Sequence, residues 1–226
     1  GTNTPILAKI GAGDLAFTNN TGTTSNFGNM LVSAGRLFIE GNSAVNQQNS
    51  LGPNTYTVNS GATLAFNGAS FTTSNSIVVN SGANIVNRQN TVELGAASTT
   101  LPTSGTIILN QDSANTSVLN LATPLALTGN LTVQTGGGGN GGAPTFTGGI
   151  SGAGFGLIKT GPGMVRLSGT NTYTGLTQVN TGAFTFTTPS AIPGGLASFD
   201  PADITVESGA ALGLTVGNGA GQFNQA

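Results

Sequence analysis

Two short stretches hold the residues whose types and spacing could do chemistry. The first is Asp200-Pro201-Ala202-Asp203, with Glu207 on the strand-like run that follows. It is the one local cluster among the seven acidic residues of the 226-residue chain. Paired carboxylates can divide the acid and base roles of glycoside hydrolysis or, with backbone carbonyls, offer oxygens to Ca²⁺. The second is Lys159-Thr160-Gly161-Pro162-Gly163, a lysine beside close glycines, the raw material of a phosphate cradle. Each has a plainer reading. Asp and Pro are turn formers, so Asp200 and Asp203 read as turn residues and keep only a weak Ca²⁺ candidacy. The lysine precedes its glycines and a strand follows, whereas a phosphate loop ends in Lys and opens a helix. Gly161-Pro162-Gly163 therefore reads as a tight corner with Lys159 extending outward. No catalytic residue and no cofactor site is assigned.

Composition narrows the chemistry further. The chain has no His and no Cys, which removes Ser-His and Cys-His catalysis and the usual transition-metal ligands. Five Lys and Arg in all cannot build the basic patch that nucleic acid requires, so no nucleic acid partner is expected. Arg36, Arg88 and Arg166 stand near no acidic cluster in sequence, unlike the mixed sites of β-helical enzymes that act on polysaccharide. No apolar run reaches the roughly 18 residues of a membrane span, so no membrane insertion by this chain is expected. Only 5% of residues are charged, against roughly 25% in an ordinary soluble domain. Hydroxyls and amides must solvate its surface.

The elements that would position these residues are strands. Thr, Ser, Asn, Val and Gly are poor helix formers, and short alternating runs recur, such as TLAF at 63–66, TIIL at 106–109 and MVRL at 164–167. One unit appears five times: VSAGRLFI from Val32, VNSGATLAF from Val58, VNSGANIV from Val79, VNTGAFTF from Val179 and VESGAALGL from Val206. Each predicts strand, tight corner, strand, with Gly35, Gly61, Gly82, Gly182 and Gly209 supplying a positive φ. A second unit appears twice, KIGAGDLAFT from Lys9 and KTGPGMVRLS from Lys159, sharing the lysines and the pairs Gly11, Gly13 and Gly161, Gly163. After the lysine units, apolar residues sit two and four beyond the corner glycine (Leu37, Ile39; Phe184, Phe186). In the Val58 and Val206 units they sit three and five beyond. A one-residue shift flips the buried face unless the corner absorbs it, so two corner geometries alternating along one array are expected.

Repeat spacing of this size predicts one coil of a solenoid per unit. The expected fold is all-β, a right-handed parallel β-helix of about ten coils and a rod about 50 Å long. It forms one solenoid over 1–226, with a degenerate motif near 9–39 and a full motif at 148–184. The glycine run Gly136–Gly142 is expected to be a flexible excursion. Most Phe and Tyr are expected in the core, with Tyr173 as the best surface aromatic.

Residues 148–184 carry a family likeness. They contain Ser151-Gly152-Ala153-Gly154, Lys159-Thr160-Gly161-Pro162-Gly163, Val165-Arg166-Leu167-Ser168-Gly169, Asn171-Thr172-Tyr173-Thr174-Gly175-Leu176-Thr177 and Val179-Asn180-Thr181-Gly182. This order closely resembles the passenger-associated transport repeat, also called the autotransporter-associated β-strand repeat. Phe155 is an insertion relative to that pattern, and the Lys9 copy lacks the Asn-x-Tyr-x-Gly stretch. The resemblance implies a β-helix of a secreted or cell-surface protein, in which the repeat serves secretion and folding rather than catalysis. Three functions are then in play. The chain is a structural or adhesive segment of a longer autotransporter-like surface protein, a fibre subunit stacking head to tail through open ends, or a polysaccharide-processing β-helix. The corresponding partners are the chain itself, end to end or laterally, other cell-surface components, and polysaccharide.

Overall fold

A computed structural model describes residues 6–19, 28–41, 43, 55–73, 75–95, 98–111, 117–136, 142–217 and 223. Every ladder between strands is parallel, and hydrogen-bonded neighbours lie one coil apart in sequence. The repeat is 20 residues from Leu157 to Thr177 and 27 from Thr177 to Ile204.

The chain winds over three principal sheets. The first has five strands, from Ile6–Lys9 through Asn29–Val32, Tyr56–Val58 and Ile77–Val79 to Thr99–Thr100. The second has nine, from Asp14–Asn19 and Arg36–Gly41 to Thr177–Val179 and Ile204–Val206. The third has seven, from Phe71–Thr73 to Ala183–Phe186 and Ala211–Leu214. A two-stranded sheet joins Leu125–Ala126 to Ile150–Ser151. The all-β parallel solenoid expected from the repeats is the observed fold. Its extent is smaller than ten coils: about seven turns are complete. Nine strands at the roughly 4.8 Å inter-strand spacing span about 40 Å. The difference lies in long connections, above all 187–203, which consume chain without adding a rung.

Alternation along each strand divides inside from outside. In the nine-stranded sheet Leu37, Leu64, Ile85 and Leu109 share one register and are all buried. In the seven-stranded sheet Leu121, Phe146, Leu167 and Phe186 do the same. Phe184 and Phe186 meet edge to face, with ring centroids 5.2 Å apart. One continuous cluster of such residues fills the solenoid. At about 25 cal/mol per Å² of apolar surface removed from water, this ladder supplies most of the folding free energy.

The corners account for the shifted apolar positions. All five corner glycines have positive φ, from 68° at Gly35 to 82° at Gly209. Leu37 pairs with Leu64 although one lies two residues and the other three beyond its glycine. The extra residue is Ala62, buried within the corner, whose N–H donates to the carbonyl of Asn59 at 3.0 Å. Ala83 repeats this with Asn80, and Ala210 with Glu207. Two corner geometries therefore exist, and the corner absorbs the shift. They do not alternate along one edge. Gly35, Gly61 and Gly82 turn the chain from the first sheet to the second, whereas Gly182 and Gly209 turn it from the second to the third.

The interior of the Gly136–Gly142 run lies outside the described residues. Three 3₁₀ turns, Pro189–Ala191, Leu196–Ser198 and Pro201–Asp203, occupy the long connection 187–203. Among the described residues no helix is long and apolar enough to cross a membrane.

Candidate functional site

The lysine of the repeat points inward, contrary to the outward direction expected for it. Lys159 is 0% exposed. Its strand, Leu157–Thr160, alternates buried and half-buried positions, and the alternation that buries Leu157 also buries Lys159. The ammonium has three protons and finds three carbonyls. Nζ donates to Thr160 at 2.7 Å and Gly161 at 2.8 Å in its own coil, and to Thr181 at 3.2 Å in the next. Among the described residues no anionic partner compensates the burial, which draws the ammonium down to about 8 from 10.5.

Gly182 closes this cage from above. Its φ is 72°, and a Cβ there would run into the carbonyl oxygens of Gly161 and Gly163 and sit 2.9 Å from Lys159 Nζ. The Lys9 copy builds the same object. Lys9 Nζ donates to the carbonyl of Gly11 and to that of Ala34, the latter at 3.1 Å. A Cβ on Gly35 would meet the carbonyls of Gly11 and Gly13 and lie 2.6 Å from Lys9 Nζ. The lysine cage is thus a corner device, used once between the first and second sheets and once between the second and third.

Asn171, Tyr173 and Gly175 form a second cluster on the same repeat. Asn171 is buried and joins three levels of chain. Its Oδ1 accepts from the Ile150 N–H at 2.9 Å below, and its Nδ2 donates to the Ala191 carbonyl at 2.5 Å above. Its own backbone N–H donates to Ser190, and its carbonyl accepts from Gly194 at 3.0 Å. Tyr173 is not a surface aromatic: it is 1% exposed and its hydroxyl meets Thr177 Oγ1 at 2.7 Å. Burial pushes its phenol well above the usual tyrosine range. Gly175 donates its N–H to Phe155, the inserted residue, at 2.9 Å, and a Cβ there would strike that residue's backbone.

Tyr173 and Gly175 line a cleft. It has a volume of about 200 Å³ and lies between the 172–177 segment and the connection 192–204 of the next coil. Asp200 and Asp203 both line it. Asp200 Oδ1 accepts from Ala202 N–H at 2.9 Å, which fixes the last 3₁₀ turn. Asp203 follows in the same turn, and no third acidic group joins the pair among the described residues. Phe199, 38% exposed, is the aromatic that reaches the surface here. The sequence signal for it was its place beside Asp200-Pro201, outside any alternating run.

No basic residue lines the cleft. Arg36 instead makes a two-bond ion pair with Asp14, at 2.8 and 2.9 Å. That guanidinium holds the Asp14 carboxyl below the usual range. Arg36 and Arg88 also sit over the ring of Phe38, 5.2 and 5.5 Å from its centroid, on the outer face of the nine-stranded sheet.

The family model of the passenger-associated-transport-repeat matches residues 157–185. That span begins at the strand bearing Lys159 and ends one residue before Phe186, enclosing both the lysine cage and the Asn171–Tyr173–Gly175 cluster. No curated protein and no solved structure matches the chain. Residues 157–185 are a passenger-associated transport repeat, and the chain is a parallel β-solenoid that carries it.

Proposed function

We propose that this chain is a non-catalytic structural or adhesive β-solenoid, a segment of an autotransporter-like passenger displayed outside the cell. The observation that carries this reading is the use made of the repeat's polar residues. Lys159 and Asn171 are buried and hydrogen-bonded between coils, and Tyr173 is buried with its hydroxyl bonded to Thr177 of the same coil, so these polar groups are spent on holding the fold together. No Lys or Arg lines the cleft beside the acidic pair at 200 and 203, unlike the mixed acidic and basic lining expected of a β-helical enzyme that acts on polysaccharide. The test has two readouts. Antibody raised against the purified chain should label intact producing cells without permeabilisation, and a panel of polysaccharides incubated with the chain should yield no new reducing or unsaturated ends. Labelling only after permeabilisation, or release of sugar ends, would remove this reading.

A specific observation favours head-to-tail stacking as a second reading. Leu212 and Leu214 continue the register of Phe184 and Phe186. The two Phe are fully buried, whereas Leu214 is 49% exposed. A second copy laid on this strand would continue the same apolar ladder, and such a contact, being unable to close, gives an open filament. Fibres that lengthen with concentration, and that are lost in Leu212→Lys/Leu214→Lys, support it. Rods of constant length at every concentration refute it.

A further inference from the structure

We propose that the cleft between 172–177 and 192–204 binds one neutral sugar ring of a polysaccharide. The proposal deepens the adhesive reading, because it rests on a solenoid that meets polysaccharide at its outer surface.

Four observations converge on it. First, the cleft is not a gap in packing. Its outer wall is the connection 187–203, which adds no strand to the stack and contains the three 3₁₀ turns. The preceding connection over the same edge, from Leu167 to Thr177, is much shorter. Second, the wall is built to a fixed shape. Asn171 holds it through Ala191, Ser190 and Gly194, and Asp200 caps its final turn. Third, its size suits a single ring. About 200 Å³ lies below the roughly 300–1,000 Å³ of pockets for drug-sized ligands. Fourth, its chemistry is that of a sugar site. Phe199 presents an exposed ring, an apolar surface for the C–H face of a pyranose. The Asp203 carboxylate has no hydrogen-bond partner among the described residues, only its backbone N–H being bonded, to the Asp200 carbonyl, and Asp200 retains a second oxygen. Ionised carboxylates only accept hydrogen bonds, and vicinal sugar hydroxyls are paired donors. Thr172 and Ser198 add hydroxyls that both donate and accept.

Charge sets the specificity. Two carboxylates with no lining Lys or Arg repel uronates, sulfated sugars and phosphate. The ligand is a neutral hexose or N-acetylhexosamine, held with the modest affinity of a single-ring site.

The test is NMR titration of the ¹⁵N-labelled chain with the methyl glycosides of glucose, galactose, mannose and N-acetylglucosamine, with glucuronate as the charged comparison. Saturable shifts at 172–175 and 198–204 with at least one neutral glycoside, and none with glucuronate, are expected. Phe199→Ala and Asp203→Asn, both at exposed positions, should each weaken that binding at least fivefold while leaving the rest of the spectrum in place. The absence of shifts with all four neutral glycosides overturns the proposal. So does equal binding of glucuronate, or binding unchanged in both variants. None of these outcomes bears on surface labelling of cells, so the pocket and the display of the chain fail separately.

Discussion

Replacing Gly182 by Ala tests the lysine cage against a control that the molecule itself supplies. Gly61 and Gly182 turn different corners, one closed by Ala62 and the other above the lysine cage, but both hold a positive φ, 76° and 72°. An alanine at either must adopt a left-handed conformation, which costs about 1–2 kcal/mol. At Gly61 that is the whole penalty, because a Cβ there meets no atom within 4 Å. At Gly182 the Cβ enters the space of the Gly161 and Gly163 carbonyls and lies 2.9 Å from Lys159 Nζ. Those atoms are backbone of the preceding coil, so relief requires the coils to part. Parting them breaks the Lys159–Thr181 bond across the gap and weakens the Ala183 N–H bond to the Gly163 carbonyl, now 3.1 Å. Two such bonds, one to a charged donor, are together worth about 2–4 kcal/mol. The expected loss is therefore about 1–2 kcal/mol for Gly61→Ala and about 3–6 kcal/mol for Gly182→Ala. Hydrogen exchange is the appropriate assay, because a solenoid can open coil by coil. Amides of 177–186 should lose most of their protection in Gly182→Ala and little in Gly61→Ala. Equal losses in the two variants would show that the glycine serves only its φ and that the cage contributes nothing.

Three further outcomes follow from the same contacts. Lys159 titrates lower in the fold, about 8 against 10.5, so below pH 8 both states hold the proton and the burial penalty is fully felt. Between pH 8 and 10 the unfolded chain binds more protons, and stability to urea should rise with pH. Lys159→Met should abolish that rise. Tyr173 acts with the opposite sign. Its phenol is raised in the fold, so above pH 10 the unfolded chain loses a proton that the fold keeps, and stability should fall, less steeply in Tyr173→Phe. Asn171→Ala leaves the Ile150 N–H and the Ala191 carbonyl without partners and should cost about 2–4 kcal/mol, read as faster exchange at Ile150 and Gly194.

Strand, corner and register were legible in the sequence because each has a local cause. Alternation marks the strands, a glycine where φ must be positive marks the corner, and the offset between Leu37 and Leu64 marks the extra residue that Ala62 accommodates. What was not legible depends on the neighbouring coil. A lysine in an alternating strand reads as a solvated charge, since nothing local shows that Thr160, Gly161 and Thr181 will turn their carbonyls toward it. Tyr173, in a loop motif rich in Thr and Asn, reads as exposed until the connection 187–203 folds over it. Phe199 was missed for the converse reason, a large apolar residue left at the surface by that same connection. Corner spacings of 21 to 27 residues predict about ten coils over the whole chain, more than the seven or so that are complete, because spacing alone does not show which segments, such as 187–203, add no strand to the stack.

The inward direction of Lys159 is the feature of the stack most directly open to measurement. Its ammonium can be followed through a pH titration by ¹³Cε and ¹⁵Nζ NMR of the lysine-labelled chain, with Lys159→Met to assign the signal. The cage predicts a slowly exchanging ammonium at pH 7 and a midpoint near 8. A fast-exchanging group titrating near 10.4, the value of a free lysine, would place the side chain in water and contradict the account.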